Sequence, residues 1–303
     1  MLRAARFASQ LGFDVDLEVM EAMEQMAQRL EIVSAERIRS ELERLLLSPY
    51  PRRGLELLVH TGICDIVLPE VSALQDTVDE HRRHKDVYEH TLTVLQQAMD
   101  LETGPDGAVP GPDLRLRLAA LMHDIGKPAT RRFMPDGTVT FHAHDYVGAR
   151  MTAKRMRALH FDKQTIKDVS RLVELHLRFH GYADSPWSDS AVRRYVTDAG
   201  PLLARLGCLT RADVTTGNRR KAAMLSHAYD DLERRIEALR QQEELAAIRP
   251  ELDGQEIMTE LGIKPGPEVG KAYKFLLDLR MERGPIGKEL AREALHSWWA
   301  TQQ

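Results

Sequence analysis

Ser34-Ala35-Glu36-Arg37-Ile38-Arg39-Ser40-Glu41-Leu42-Glu43-Arg44-Leu45-Leu46 runs into Leu47-Ser48-Pro49-Tyr50-Pro51, and together the two pieces spell one complete α-helix. Ser34 is a capping residue, Ile38, Leu42, Leu45 and Leu46 recur at helical spacing, and the run stops before Pro49 and Pro51. The same grammar repeats outward in both directions. Residues 2–11 place Leu2, Ala5, Ala8 and Leu11 on one stripe, with Gly12 as the stop. Residues 17–30 repeat it through Met20, Met23, Ala27 and Leu30, and Gly62 and Pro69 punctuate shorter helices. Further helices are expected at 145–160, 164–180, 188–198 and 201–212, with Pro201 in the first turn of the last. A long amphipathic helix should cover 218–245 through Leu225, Tyr229, Leu232, Ile236 and Leu239. The tail restarts at Asp253-Gly254, turns at Pro265-Gly266-Pro267, and closes with two helices ending at Trp298-Trp299. Only Pro135-Asp136-Gly137-Thr138-Val139-Thr140-Phe141 reads as a hairpin, and a short one. No solenoid period is visible, and the fold class is all-α.

The 303 residues are enough for two compact domains or an elongated body of helical modules. A hydrophobic share of 43% with 29% charged residues excludes global disorder. No apolar run approaches the roughly 18–20 residues that span a bilayer, so no membrane partner is expected. Met1-Leu2-Arg3-Ala4-Ala5-Arg6-Phe7 lacks the apolar core of a secretory signal. Cys64 and Cys208 stand far apart without a CxxC, which excludes a disulfide framework or a zinc knuckle and fits a reducing cytoplasm. A formal charge of -4 gives no overall nucleic-acid signature, so any RNA contact must come from local patches. Two exist: Arg150, Lys154, Arg155, Arg157, Lys163, Lys167 and Arg171 on successive helices, and Arg219-Arg220-Lys221. Each taken alone also fits a solvated helix face.

Nine of the twelve histidines fall between His81 and His180, which marks a module with its own chemistry. His123 and Asp124 are adjacent on a helix expected to end at Gly126-Lys127-Pro128. Neighbouring helical side chains diverge by about 100°, so both reach one site only if the helix end points at it. His90 sits early in the preceding helix, His144 follows the bent loop, and His176 shares a helix face with His180. Asp213 interrupts an otherwise apolar helix, where it could alternatively cap or pair with Arg211 or Arg219. Imidazoles with carboxylates suit a divalent ion (Mn, Ni, Co, Mg, Fe or Zn), with no single metal selected. The chemistry would be metal-assisted hydrolysis of a nucleotide or phosphate ester. Lys127 could offset charge on a phosphoryl oxygen or simply sit at a helix C-terminus. His81, His84 and His142 read as exposed residues, and His180 as a partner of His176 rather than a ligand.

The order His, His-Asp, His, His, Asp resembles the HD phosphohydrolase superfamily. That resemblance implies His90, His123, Asp124 and Asp213 as core metal ligands, with His144 and His176 as possible second-site ligands. At both ends the chain also resembles bacterial CCA-adding tRNA nucleotidyltransferases, the poly(A) polymerase relatives with an HD domain. Met1 to Ala8 looks like the start of their neck, and Ser34 to Leu42 like its next signature. Gly254-Gln255-Glu256-Ile257-Met258 and Leu261 to Gly270 are similar to their tRNA-binding body and tail. The resemblance implies three parts: a helical neck at 1–80, an HD metal-binding domain at 81–216, and a helical body and tail at 217–303. It also implies the tRNA acceptor arm as partner, with Arg3, Arg6, Arg37, Lys154, Arg155, Arg219, Arg220 and Lys221 as candidate contacts.

One departure stands out. The family transfers nucleotides with a head that has a Gly-rich turn, paired aspartates holding Mg²⁺, and an Arg-Arg-Asp segment, and none of these occurs in the sequence. The sole Asp-x-Asp, Asp14-Val15-Asp16, has no strand or Gly-rich turn before it and reads as a helix N-cap. Met1 falls where the family often has an internal Met, so a truncated enzyme is the leading expectation. Mg²⁺ with ATP or CTP would then be needed only with a head supplied. Two alternatives are a stand-alone HD phosphohydrolase acting on nucleotides or 2′,3′-cyclic phosphate, and a non-enzymatic tRNA-binding module. A homo-oligomer is left open.

Overall fold

A computed structural model describes residues 1–77, 87–179, 181–182, 185, 187–216, 218–243 and 248–302. His81, His84 and His180 lie outside the described residues. The described chain is helical apart from one two-stranded ribbon, which agrees with the all-α expectation. No described helix is long and apolar enough to cross a membrane. The chain forms two compact units, Met1–Phe179 with Pro201–Ala223, and His180–Gly200 with Met224–Gln303.

The first unit opens with α1 (Leu2–Leu11), α2 (Leu17–Gln25), α3 (Ala35–Leu46), α4 (Pro51–His60), α5 (Ile63–Val67) and α6 (Pro69–Ser72). Leu2, Ala5 and Ala8 of α1 are buried as their spacing requires, while Leu11 stays 54% exposed where the helix runs out. α1 crosses α4 at Gly54, where a Cβ would lie 2.1 Å from Ser9 Oγ and 2.8 Å from the Ala5 carbonyl. Only a residue without a side chain lets two backbones approach so closely. The helix expected over 17–30 splits, because α2 ends at Gln25 and a 3₁₀ turn, Ala27–Ile32, follows. Asp16 caps α2 by accepting from the Glu18 amide, and Asp14 pairs with Arg53 at 2.8 Å. The carboxylate pair is therefore committed to structure. In α3 all four predicted apolar positions are buried. Ser34 takes the N-cap position with extended backbone, although its hydroxyl makes no capping bond.

The core of this unit is built by α7 (Val87–Asp100), α8 (Leu114–Met122), α10 (His144–Ala158), α11 (Lys163–Leu175) and α13 (Leu203–Ala212), with the single turn α9 (Lys127–Thr130) between α8 and α10. α8 is buried over Leu116–Met122, as expected for a helix apolar on nearly all sides. Its one charged buried residue, Arg117, donates to Glu102 Oε1 and Oε2 at 2.7 Å each. The same guanidinium donates to the Leu46 and Ser48 carbonyls at 2.7 and 2.8 Å. Arg117 thus satisfies carbonyls at the end of α3 that the helix itself leaves unpaired. The hairpin-like stretch forms strands β1 (Arg132–Phe133) and β2 (Val139–Thr140), antiparallel with Arg132 opposite Thr140.

The second unit contains α12 (Asp189–Ala199), most of α14 (Arg219–Glu243), α15 (Gly254–Leu261), α16 (Pro267–Arg283) and α17 (Lys288–Ala300). The restart at Asp253 is a capping box, in which Asp253 accepts from the Glu256 amide and Glu256 accepts in return from the Asp253 amide, both at 2.9 Å. α15, α16 and α17 bury Leu252, Ile257, Ala272, Leu276, Leu279, Ala291 and Leu295 as a core of their own. Trp298 stacks on Phe275 with ring centroids 5.0 Å apart.

Candidate metal centre

Helix α8 ends at Met122, four residues earlier than the sequence suggests. His123 is the C-cap, still with helical backbone dihedrals, and Asp124 lies just beyond it, so the helix end itself points at the centre. They converge, with His123 Nε2 3.2 Å from Asp124 Oδ2. α7 brings His90 Nε2 to 3.3 Å from His123 Nε2 and 3.4 Å from Asp124 Oδ2. Asp213, C-cap of α13, places Oδ1 3.0 Å from His90 Nε2 and 3.5 Å from His123 Nε2. His144, first residue of α10, sets Nε2 3.3 Å from Asp124 Oδ1. His176, C-cap of α11, packs its ring 5.3 Å from that of His123 and 5.4 Å from that of His144. All six predicted ligand residues are therefore brought together.

Their donor atoms form two groups, His90 with His123 and Asp213, and Asp124 with His144 and His176, the atoms in each lying within 4.8 Å of one another. Two ligands on a tetrahedral ion at about 2.0–2.1 Å sit roughly 3.3–3.5 Å apart. The observed 3.0–3.5 Å separations in the first group match that spacing. The chemistry of the nitrogens agrees. Nδ1 of His123, His144 and His176 lies 2.9, 2.8 and 2.6 Å from the carbonyls of Ala120, Phe141 and Val173. A carbonyl can only accept, so each Nδ1 carries a proton, which leaves Nε2 as the ring atom available to an ion. Nε2 of His144 and of His176 makes no hydrogen bond although both are buried. Orphaned buried acceptors of this kind need an explanation, and a cation supplies one. The residues fit a divalent ion.

Electrostatics point the same way. Burial opposes charge on His123, yet Asp124 and Asp213 overcome it and push its pKa up to about 10. Burial likewise opposes charge on Asp124, but His123 and Lys127 hold it well below the usual carboxylate range. Burial lowers His176 to about 4, with His123 adding to the effect, so its imidazole is neutral at physiological pH. Without an ion the centre traps a proton between His123 and the carboxylates, as a site built for positive charge should. Lys127 is not at a helix C-terminus. It is the first residue of α9, and its Nζ lies 2.8 Å from Asp124 Oδ2 at the rim. His123 and Asp124 are closed off, whereas His90, Asp213 and Lys127 keep 16%, 12% and 14% side-chain exposure, so access is from their side.

Two glycines make this convergence possible, Gly126 at the expected helix stop and Gly148 within α10. A Cβ on Gly126 would lie 2.1 Å from the His144 carbonyl and 2.7 Å from the Gly148 amide nitrogen. The turn after Asp124 therefore presses directly on the start of α10 and brings His144 to Asp124. Thr215 was invisible in the sequence, and its hydroxyl lies 3.0 Å from His90 Nδ1. His142 is exposed, as expected.

The candidate RNA contacts divide. Arg3, Arg37, Lys154, Arg219, Arg220 and Lys221 are exposed. Arg6 is not a surface cation: it is buried, donating to Glu41 and Gln10 at 2.6 Å each. Arg155 is also engaged, in a bidentate pair with Glu70 at 2.8 and 3.0 Å that ties α10 to α6. Both sit on the apolar edge of amphipathic helices, where a long side chain folds back to a carboxylate rather than out to water.

Comparison with known proteins converges on one group. Residues 12–74 match the family described as "Probable RNA and SrmB- binding site of polymerase A", and residues 87–218 match the HD domain family. The chain is 34% identical to an A-adding tRNA nucleotidyltransferase of Deinococcus radiodurans, over 99% of this chain and 68% of that protein. It is 36% identical to a CC-adding tRNA nucleotidyltransferase of Thermus thermophilus, over 98% of this chain and 65% of the relative. The chain thus spans about two thirds of their length. Among solved structures, the Bacillus stearothermophilus CCA-adding enzyme in complex with CTP shares the fold with a TM-score of 0.58 at 17% identity, covering 100% of this chain and 62% of that one.

Proposed function

This chain belongs to the family of tRNA nucleotidyltransferases, and we propose that it serves tRNA 3′-end processing in the cytoplasm, holding tRNA on its helices and carrying an HD metal centre for phosphate-ester hydrolysis. The observation that carries the second half is the convergence of six donor residues into two groups, the second of which holds the buried, unbonded Nε2 atoms of His144 and His176. In this reading His90, His123 and Asp213 hold one divalent ion, Asp124, His144 and His176 hold a second, and Mn, Ni, Co, Mg, Fe and Zn all remain compatible with the donor set. Such an ion acts as a Lewis acid that polarises a phosphoryl oxygen and lowers the pKa of coordinated water. Lys127 Nζ, at the accessible rim, would balance charge on a phosphoryl oxygen, and the buried His123 and Asp124 would keep bulk water from the inner side. His142 has no assigned part.

The tRNA acceptor arm would be held by phosphate contacts from Arg3, Arg37, Lys154 and the Arg219-Arg220-Lys221 cluster, all exposed. Three cations at the first turn of α14 oppose the helix dipole, which is a poor arrangement for stability alone and a good one for binding an anion. The three-part division at 1–80, 81–216 and 217–303 assigns these contacts to neck, HD domain and body. Solved relatives are described in complex with ATP or CTP. Nucleotide addition with Mg²⁺ is carried to this chain only together with the further length those relatives possess.

The test loads the ion-free protein with Mn²⁺, Co²⁺ or Ni²⁺ and assays 2′,3′-cyclic nucleotides and phosphomonoesters. Hydrolysis should require the ion and vanish in both His123→Ala and Asp124→Ala. Turnover that survives both substitutions would refute the hydrolytic reading. A second reading, a stand-alone phosphohydrolase, is favoured by one fact: every ligand of the centre comes from the first compact unit of this chain. Hydrolysis at full rate with no measurable tRNA affinity would favour it.

A further inference from the structure

Among the four histidines of the centre, His90 is held differently. His123, His144 and His176 each direct Nδ1 to the main-chain carbonyl three residues upstream. His123 and His176 cap the C-termini of α8 and α11, and His144 opens α10, so all three rings lie at helix ends. His90 is the fourth residue of α7, inside the helix. Its corresponding carbonyl, Val87 O, already accepts from the Thr91 hydroxyl at 2.9 Å. Its Nδ1 instead meets Thr215 Oγ1 at 3.0 Å, across 125 residues of sequence.

Thr215 stands two residues after Asp213, whose Oδ1 is 3.0 Å from Nε2 of the same ring. One short segment after α13 thus grips His90 at both nitrogens, by a carboxylate on the ion side and a hydroxyl on the far side. We propose that Thr215 is a positioning residue for the His90, His123 and Asp213 group, holding the His90 ring with Nε2 turned toward the ion. The proposal rests on the metal reading above. With Nε2 as ligand, Nδ1 carries the proton and donates it to the Thr215 oxygen. Loss of the hydroxyl leaves a partly buried Nδ1–H unpaired and the ring free to rotate, and such outer partners commonly govern metal affinity by about 10–100-fold. The contact falls on a ring of the first group, so the effect of losing the hydroxyl should fall on that group.

The experiment uses Co²⁺ as probe, in the full chain, with two backgrounds that isolate the groups. His176→Ala leaves the His90 group, and His90→Ala leaves the Asp124, His144 and His176 group. Thr215→Val should weaken Co²⁺ binding about 10–100-fold in the first background and leave it unchanged in the second. Thr215→Ser, which keeps the hydroxyl, should restore most of the affinity. Thermal melts of the ion-free variants check that folding is intact. Unchanged affinity in the first background overturns the proposal, as does equal loss in both backgrounds or failure of serine to rescue. If the unsubstituted chain binds no Co²⁺, the metal reading itself falls and takes the proposal with it.

Discussion

Replacing Gly126 by alanine should separate the two halves of the metal centre. The new Cβ would lie 2.1 Å from the His144 carbonyl oxygen and 2.7 Å from the Gly148 amide, both main-chain atoms that cannot rotate away. Restoring an ordinary contact of about 3.3 Å requires the α9 turn and the start of α10 to move apart by roughly 1.2 Å. His144 Nε2 and Asp124 Oδ1 are now 3.3 Å apart. The same displacement applied to them gives roughly 4.5 Å, beyond the about 4.2 Å that two ligands at 2.0–2.1 Å from one ion can span. The Asp124, His144 and His176 group should therefore lose its ion, while His90, His123 and Asp213, none of them on α10, keep theirs. Overpacking of this kind costs about 1–3 kcal/mol, so the chain should still fold. Equilibrium dialysis with Co²⁺ should show stoichiometry falling from two ions per chain to one, with a lowered melting temperature. Gly148→Ala is the internal control, since its Cβ would meet Gly126 N at 3.3 Å, an adjustment of a few tenths of an ångström. Two ions bound with unaltered affinity in Gly126→Ala would refute the reasoning.

Arg117→Ala should cost about 3–5 kcal/mol in chemical denaturation, because it strands the buried Glu102 carboxylate and unpairs the Leu46 and Ser48 carbonyls; a change under about 1 kcal/mol would contradict its role as the joint between α8 and α3. In the ion-free protein, the His123 pKa raised from 6.5 to about 10 means stability from its proton is full below pH 6.5 and fades as pH rises through 10. Ion binding displaces that proton, so the thermal shift produced by Co²⁺ should grow from pH 6 to pH 9, and a shift that shrinks over this range would count against the cluster being the binding site. Charge removal at Arg219, Arg220 and Lys221 together should weaken tRNA binding and reduce the slope of log affinity against log salt by roughly two to three. Filter binding over a salt series measures it, and an unchanged slope would exclude the cluster from the interface.

Much of the fold was legible because helical order is local. The stripe of Ile38, Leu42, Leu45 and Leu46, the stop at Gly12 and the restart at Asp253 depend on residues a few positions apart, and each appears where the sequence placed it. The break after Gln25 and the early end of α8 were not legible, because tertiary contacts decide whether a helical run continues. The six converging residues could be named from their order in the chain, whereas the sequence was silent on Thr215 and offered Gly126 only as a helix stop. Their importance lies in a 3.0 Å contact with His90 and a close approach to His144, and neither leaves a periodic trace. Arg6 and Arg155 show the opposite limit: a cation reads alike in sequence whether water or a carboxylate receives it.

By itself, then, the sequence determined the helices, their caps and the residue types gathered at the centre, since these follow from backbone propensity and donor chemistry. Only the tertiary structure decided that the side chains of His123 and Asp124 meet at the end of α8, that six donors divide into two groups of three, and which cations are exposed. Convergence of that kind is a property of distances between segments far apart in the chain, and those distances are set by how closely the helices pack.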